Sequence, residues 1–174
     1  MSPEALTIQC RSDGAGQTTT LRKSESCELP VGIQNQRRLV WRLLNYWEQR
    51  RGERDFPALA DIDSREIDEM WPHCFVLDVA NFREFPYFQY LGPSLARYSG
   101  VFLSGQDWAM TLLRKAVWHY REVLERSAPI LVEEELTQYD NQKLLFRSVM
   151  LPLSEDQVTI DYVLGAANGV VRRD

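Results

Sequence analysis

The sequence predicts an α+β fold in which helices cover one face of an antiparallel sheet. The last part of the chain contains three β-rich runs, at residues 130–137, 143–153 and 158–164, separated by short polar breaks. Such spacing is typical of an antiparallel meander. Two further strands are predicted at 74–79 and 87–91. Because helical patterns precede and separate these two groups of strands, we expect the helices to pack together on the sheet.

The chain begins with a polar segment that is followed by an amphipathic helix. Residues 1–34 are rich in Ser, Thr, Gln and Gly and show no sustained period, so they are interpreted as a flexible arm or a peripheral strand. The main domain is assigned to residues 35–174 and begins with a helix over 36–51. The apolar residues of that helix recur at spacings of three and four: Leu39, Val40, Leu43, Leu44 and Trp47.

Three more helices are predicted between this first helix and the closing strands. Asp63 followed by Glu66 is typical of a capped helix start, so a short helix is expected from there to Trp71. A small helix is predicted at residues 94–98. The longest helix is predicted from about residue 104 to Ser127.

The three closing strands differ in their apolar pattern. The middle run has apolar residues at alternate positions on both of its faces. Both faces are therefore expected to be covered. In the last run, Val158, Ile160, Tyr162 and Leu164 are predicted to share one face. The first run contains the carboxylates of residues 133–135, which we interpret as the charged surface of a solvated edge strand.

Composition narrows the class of protein. The 174 residues carry a net charge of −5 with a pI near 5.2, which gives no support to nucleic-acid or anionic-membrane binding. Three cysteines without metal-ligand spacing fit reduced thiols, and no run approaches the length of a membrane span. A cytoplasmic protein is therefore expected.

A series of short motifs extends over most of the chain, from Leu39 to Gly165. They are Trp47, Arg51-Gly52, Pro57, Asp61-Ile62-Asp63, Ile67, Trp71-Pro72-His73, Phe75 to Val79, Leu153-Ser154 and Asp161 to Gly165. This series resembles the signature of the stand-alone bacterial PAS-like family, "YW … R … P … DIDP … I … LPH … LLD", closing with "LLPLS … VD … ILG". The chain departs from that signature at Ser64, where the family prefers proline, and at Trp71, where it prefers leucine.

The resemblance implies a PAS fold, with a five-stranded antiparallel sheet in the order 2-1-5-4-3, helices over one face and here an additional N-terminal helix. It also implies sensing or protein interaction without catalysis, and leaves the cofactor unknown. A cavity is then expected between the longest helix and the sheet, suited to a small organic ligand. Its predicted lining is Tyr90, Leu112, Ala116, His119, Phe146, Met150 and Tyr162. The alternative is an interaction module with a filled core.

Two less favoured chemistries are also compatible with the sequence. Haem-binding PAS proteins carry an axial histidine on the long helix, and His119 lies on the predicted long helix. A carboxylate such as Asp78 or Asp161 beside Tyr90 or Tyr162 could abstract a proton, as an isomerase-like enzyme requires. Recognisable catalytic, zinc and phosphate-binding motifs are absent, so we expect no enzyme activity.

Two tryptophans indicate an interface. Trp41 and Trp118 each lie off the apolar stripe of their predicted helix, and tryptophan is enriched at protein interfaces. We therefore expect a homodimer. A ligand would shift the packing of the long helix on the sheet, and the N-terminal helix would report that shift to a separate output protein.

Overall fold

The computed structural model of the chain describes residues 8–11, 31–81, 86–98, 117–137 and 143–172. The strands of this part are β1 (Ile8–Arg11), β2 (Cys74–Asp78), β3 (Tyr87–Leu91), β4 (Ile130–Thr137), β5 (Lys143–Leu153) and β6 (Tyr162–Arg172). The helices are α1 (Val31–Arg51), α2 (Pro93–Tyr98) and α3 (Tyr120–Arg126), with short 3-10 helices at Leu59–Asp61 and Trp71–His73.

One sheet contains all six strands in the order β1-β4-β5-β6-β2-β3. The five strands β2 to β6 are antiparallel to their neighbours and, numbered along the chain, have the order 2-1-5-4-3, which confirms the predicted fold class. Strand β1 adds a sixth, parallel strand at the outer edge of β4. The N-terminal arm therefore contributes part of the sheet.

Helix α1 begins earlier than the sequence predicted, at Val31 instead of residue 36. Its first five residues, Val31 to Asn35, lack the three- and four-residue apolar spacing of the later turns, so apolar periodicity did not mark them. Pro30 immediately precedes Val31, and proline is favoured at the start of a helix because it has no N–H to leave unsatisfied there.

Helix α1 packs on β5 and β6 and is anchored at its C-terminal half. Trp47 Nε1 donates a buried hydrogen bond of 2.8 Å to the carbonyl oxygen of Pro152, near the end of β5. On another side of the helix, the Tyr46 hydroxyl accepts a 2.8 Å hydrogen bond from the backbone N–H of Asp63. The segment that leads from Asp63 to β2 is thereby held against α1.

The side chains of β2 and β3 identify the face of the sheet that α1 covers. Cys74 Sγ lies 3.3 Å from the Met70 carbonyl oxygen, and the Trp71 ring stacks on Tyr90 with 4.2 Å between centroids. Cys74 and Tyr90 therefore point toward the segment that is bound to α1. We call their side of the sheet the α1 face. By strand register it also carries Val76, Asp78, Leu131, Glu133, Arg147, Val149, Leu151, Leu153, Tyr162, Leu164, Ala166 and Asn168.

The opposite side of the sheet is the far face, and most of its residues are apolar. Its residues include Phe75, Leu77, Phe88, Leu91, Ile130, Val132, Phe146, Ser148, Met150, Pro152, Val163, Gly165 and Ala167. Every residue of β5 from Phe146 to Leu153 is buried, which confirms that both faces of this strand are covered. Of the described helices only α1 and α3 make extensive contacts with β5, so α3 is the described helix left to cover the far face.

The predicted short helix after Asp63 is wrong. The Asp63 carboxylate does accept a 2.9 Å hydrogen bond from the backbone N–H of Arg65, as a cap would. The following residues nevertheless form turns as far as Met70, and the 3-10 helix Trp71–His73 follows. Pro72 lies inside that 3-10 helix and cannot donate to a continuing α-helix.

The last strand begins and ends later than the sequence predicted. The hairpin before it occupies residues 154–160, where the Asp156 carboxylate accepts hydrogen bonds from the backbone N–H groups of Val158 and Thr159. Those donors are therefore lost to the sheet, and the Val158 side chain is 81% exposed. Strand β6 starts at Tyr162 and continues to Arg172.

The interpretation of residues 133–135 as a solvated edge is also wrong. Strand β1 covers the outer side of β4. Glu133 instead pairs across strands with Arg147, whose Nε and Nη2 lie 2.8 Å and 2.5 Å from Glu133 Oε1. Arg147 is only 6% exposed, whereas the Glu133 side chain is 30% exposed, so the ion pair is partly buried.

The longest helix was predicted to end at Ser127, and the structure agrees with this end. The helix is not continuous, however. Helix α3 stops at Arg126, where Ser127 adopts a left-handed conformation with φ 50°. Val117 and Trp118 are helical, but His119 is a turn residue that separates them from α3.

Candidate functional site

Strand register divides the predicted cavity residues between the two faces of the sheet. Tyr90 and Tyr162 lie on the α1 face, whereas Phe146 and Met150 lie on the far face. These four side chains therefore cannot line a single cavity. The remaining candidates Leu112 and Ala116 lie outside the described residues.

The far face of β5 carries a stripe of three buried residues that we call the β5 stripe: Phe146, Ser148 and Met150. All three are at most 1% exposed. Ser148 is directly opposite Val132 of β4 and Ala167 of β6, both of which are buried. A hydroxyl group is thus placed among apolar side chains near the centre of the sheet.

The hydroxyl of Ser148 has no hydrogen-bond partner within the described part of the chain, although it is fully buried. A buried polar group without a partner is unfavourable, and in native proteins it commonly marks a bound water or ligand. The cavity lining predicted from the sequence includes Phe146 and Met150 but not Ser148. Alternation along β5 contained the necessary signal, because Ser148 is two residues from each of them.

Beside the stripe, the far face of β6 has small residues that admit the ring of Phe75. A Cβ added at Gly165 would overlap this ring. Phe75 also meets Phe88 edge to face, with 6.0 Å between centroids. This part of the far face is therefore tightly packed.

His119 lines a separate groove along the α3 region. Its volume is about 690 Å³, and its lining is Val117, Trp118, His119, Tyr120, Arg121, Glu122, Glu125 and Arg126.

The polar groups of this groove are joined in a short chain. His119 Nδ1 lies 3.1 Å from Glu122 Oε2, and Glu122 Oε1 lies 2.8 Å from Arg126 Nη2. The imidazole is thus oriented toward the side chains of α3. No cluster of three or more metal-ligating residues occurs in the described ranges.

The two tyrosines on the α1 face are bound to different partners. The Tyr90 hydroxyl donates a 3.1 Å hydrogen bond to the Trp71 carbonyl oxygen, which adds to the stacking of the two rings. Tyr162 is directly opposite the buried Asp78 in the sheet. Asp78 in turn accepts a 2.6 Å hydrogen bond from the Tyr87 hydroxyl.

The environment of Asp78 favours protonated tyrosines. The hydrogen bond to Asp78 raises the pKa of Tyr87, while burial and then the charge of Asp78 raise the pKa of Tyr162. Both phenols therefore remain protonated near neutral pH, and Tyr87 donates a hydrogen bond to Asp78. One oxygen of Asp78 also accepts from the backbone N–H of Ala80 at 3.1 Å, so this carboxylate secures the β2–β3 hairpin.

The two tryptophans considered for an interface occupy different environments. Trp118 is 67% exposed, as expected of an interface residue. Trp41 is half-buried and packs against the core, so its side chain is not available as an exposed anchor.

Comparison with known proteins identifies the chain at the level of its family. The family model that matches is described as a PAS domain and covers residues 36–168, most of the chain. No curated protein matches the chain. Within the described residues, none of the helices has the length and apolar character that crossing a membrane requires.

Proposed function

The chain belongs to the PAS domain family, and on this premise we propose that it binds a small organic ligand against the β5 stripe. PAS domains are sensory and regulatory modules and are in general not catalytic. The observation that supports the proposal is the buried Ser148 hydroxyl, which lies between Phe146 and Met150 without a partner among the described residues.

The lining of the stripe indicates the class of ligand. Phe146 and Met150 offer apolar contact, and Ser148 offers one group that can both donate and accept a hydrogen bond. A mainly apolar ligand with a single carbonyl, hydroxyl or amide group fits this arrangement. A charged group does not fit it, because burial of an unpaired charge is strongly unfavourable.

Strand β5 also suggests how binding would be transmitted. Its far face carries the stripe, and its α1 face carries Val149 and Leu151, which are fully buried on the side of α1. A ligand that stabilises one position of β5 would therefore favour one packing of α1. A separate output protein that binds α1 would then receive the signal.

Native mass spectrometry of freshly purified protein tests the proposal. We expect a bound organic mass on the wild type, lower occupancy on Ser148→Ala, and wild-type occupancy on Ser154→Ala. Ser154 is a matched control because it is also buried, but its hydroxyl lies 3.0 Å from the Asp156 carboxylate. Ligand binding would be contradicted by two results together. They are a mass equal to that of the protein alone, and a melting temperature that no compound of a metabolite panel changes.

A second candidate function is a dimerisation module with a filled core. The tight packing of Phe75 on Gly165 and the exposure of Trp118 favour it. Light scattering at high protein concentration is the test, with Trp118→Ala compared with Trp41→Ala. A dimer that only the Trp118 variant weakens supports this function, and a monomeric wild type contradicts it.

A further inference from the structure

Arg147 is a buried charged residue of the α1 face. It lies on β5, an inner strand of the sheet, and its side chain is only 7% exposed. Glu133 is directly opposite it on β4, and Asn168 is directly opposite it on β6. Two residues further along β5, Val149 lies on the same face and is fully buried. The guanidinium group is therefore placed in a polar row that crosses an otherwise apolar part of the α1 face.

The ion pair with Glu133 uses only part of this guanidinium group. Nε and Nη2 of Arg147 both donate to a single oxygen of Glu133, Oε1, at 2.8 Å and 2.5 Å. The third nitrogen, Nη1, carries two further N–H groups. Nη1 is buried, yet it has no hydrogen-bond partner among the residues that the structure describes. Because a buried donor without an acceptor is unfavourable, a bound acceptor is expected at Nη1.

The charge of the ion pair determines which acceptor fits. Glu133 already balances the charge of Arg147, so the pair as a whole is neutral. An anion at Nη1 would add an uncompensated negative charge beside Val149 and Ala166, both fully buried on this face. Burial of such a charge is strongly unfavourable. The acceptor that fits is therefore a neutral oxygen atom, either of a water molecule or of a carbonyl group in a small molecule.

We propose that Arg147 forms a binding site for a neutral acceptor oxygen on the α1 face, separate from the β5 stripe. Ser148 is the next residue of the same strand, so its side chain points to the opposite face of the sheet. The ligand proposed for Ser148 therefore lies on the other side of the backbone from Nη1. The bound oxygen would hold the guanidinium group from the side that Glu133 leaves open.

A high-resolution crystal structure of the full wild-type chain tests the site directly. We expect an oxygen atom about 2.9 Å from Nη1 of Arg147 that belongs to no residue of the chain. Native mass spectrometry distinguishes the two sources of this oxygen, because only an organic molecule adds a bound mass. An organic occupant of this site should be retained by Ser148→Ala and lost from a variant of Arg147. A ligand of the β5 stripe should show the reverse pattern.

Magnetic relaxation dispersion of water tests the other source in solution, because it counts long-lived internal water molecules. If the oxygen belongs to water, the variant Arg147→Met/Glu133→Gln should contain about one such molecule fewer than the wild type. The matched control is Arg42→Met/Glu69→Gln, which removes an exposed ion pair and should leave the count unchanged.

Three results in the wild-type crystal would overturn the proposal, and none of them depends on the folding of a variant. They are an anion at Nη1, an atom of the chain itself within hydrogen-bond distance of Nη1, and an Nη1 without any neighbouring acceptor. In solution, the proposal fails if the double variant of Arg147 and Glu133 keeps both the water count and any bound mass of the wild type.

Discussion

Replacement of Ser148 by alanine gives the clearest test of the β5 stripe, because the expected sign is opposite to that of an ordinary core substitution. Ser148 is fully buried, and its hydroxyl has no partner in the described part of the chain. In the absence of ligand, removal of that hydroxyl removes an unpaired polar group from an apolar environment. We therefore expect Ser148→Ala to be neutral or stabilising.

The size of the expected stability change follows from the cost of burying a hydroxyl group without a partner. A buried group without a partner costs about 1–3 kcal/mol, and loss of the oxygen's packing contacts offsets part of the gain. A net stabilisation of about 0–1 kcal/mol would raise the melting temperature by up to about 4 °C in a protein of this size. In the presence of ligand the same variant loses one hydrogen bond, so its Kd should rise about fivefold.

The assay is thermal unfolding of ligand-free protein, followed by titration with the ligand identified by native mass spectrometry. Ser154→Ala is the control, because its buried hydroxyl is bonded to Asp156 and its loss should lower the melting temperature. If Ser148→Ala lowers the melting temperature as much as Ser154→Ala, the Ser148 hydroxyl is bonded in the ligand-free protein. Such a result would mean that Ser148 is not free to bind the polar group of a ligand.

Three further predictions concern packing, reactivity and pH. Gly165→Ala should lower the free energy of unfolding by about 1–3 kcal/mol, measured by thermal unfolding, because the new methyl group would overlap Phe75. The double variant with Phe75→Leu should recover part of this stability. The Cys74 thiol should resist iodoacetamide in native protein and react in denaturant, as mapped by mass spectrometry, because burial raises its pKa to about 12. Burial lowers the pKa of His73 from its ordinary 6.5, so the folded state binds fewer protons and stability should fall as the pH drops below about 6.5. Melting temperatures at pH 7.5 and 5.5 should show this loss in the wild type and a smaller one in His73→Gln.

Each of these three has an outcome that would contradict it. An unchanged melting temperature for Gly165→Ala would mean that the Phe75 ring moves away without cost. Rapid alkylation of native Cys74 would show that the segment over β2 opens readily. If the wild type and His73→Gln show equal pH dependence, the loss of stability at low pH comes from titratable groups other than His73.

Elements bounded by strong local signals were predictable from the sequence. Strand β3 was placed correctly because Gly92 and Pro93 end it, and β2 because it follows Pro72. The extent of β6 was missed for a physical reason. Beyond Leu164 it contains Gly165, Gly169 and other small residues that show no alternation. Its strand structure there depends on pairing with the large side chains of β5.

The candidate site was only partly predictable because it depends on register. Phe146 and Met150, both predicted to line a cavity, lie on the same face of β5. The sequence could not show that Tyr90 and Tyr162 belong to the other face, because β5 is apolar in both registers. Only the observed alignment with β2, β4 and β6 separates the two groups.

The central position of β6 has a consequence for the synthesis of the chain. Strand β6 is the last strand in the sequence, yet it lies between β5 and β2 and joins the two halves of the sheet. A nascent chain emerging from the ribosome must therefore wait on the order of ten seconds after α1 before its sheet can close. During this interval the apolar side of α1 has no completed surface to bind, since its anchor at Pro152 is 105 residues from Trp47. Closure of the sheet is thus expected only once β6 has emerged, and the exposed α1 is the segment that chaperones would protect.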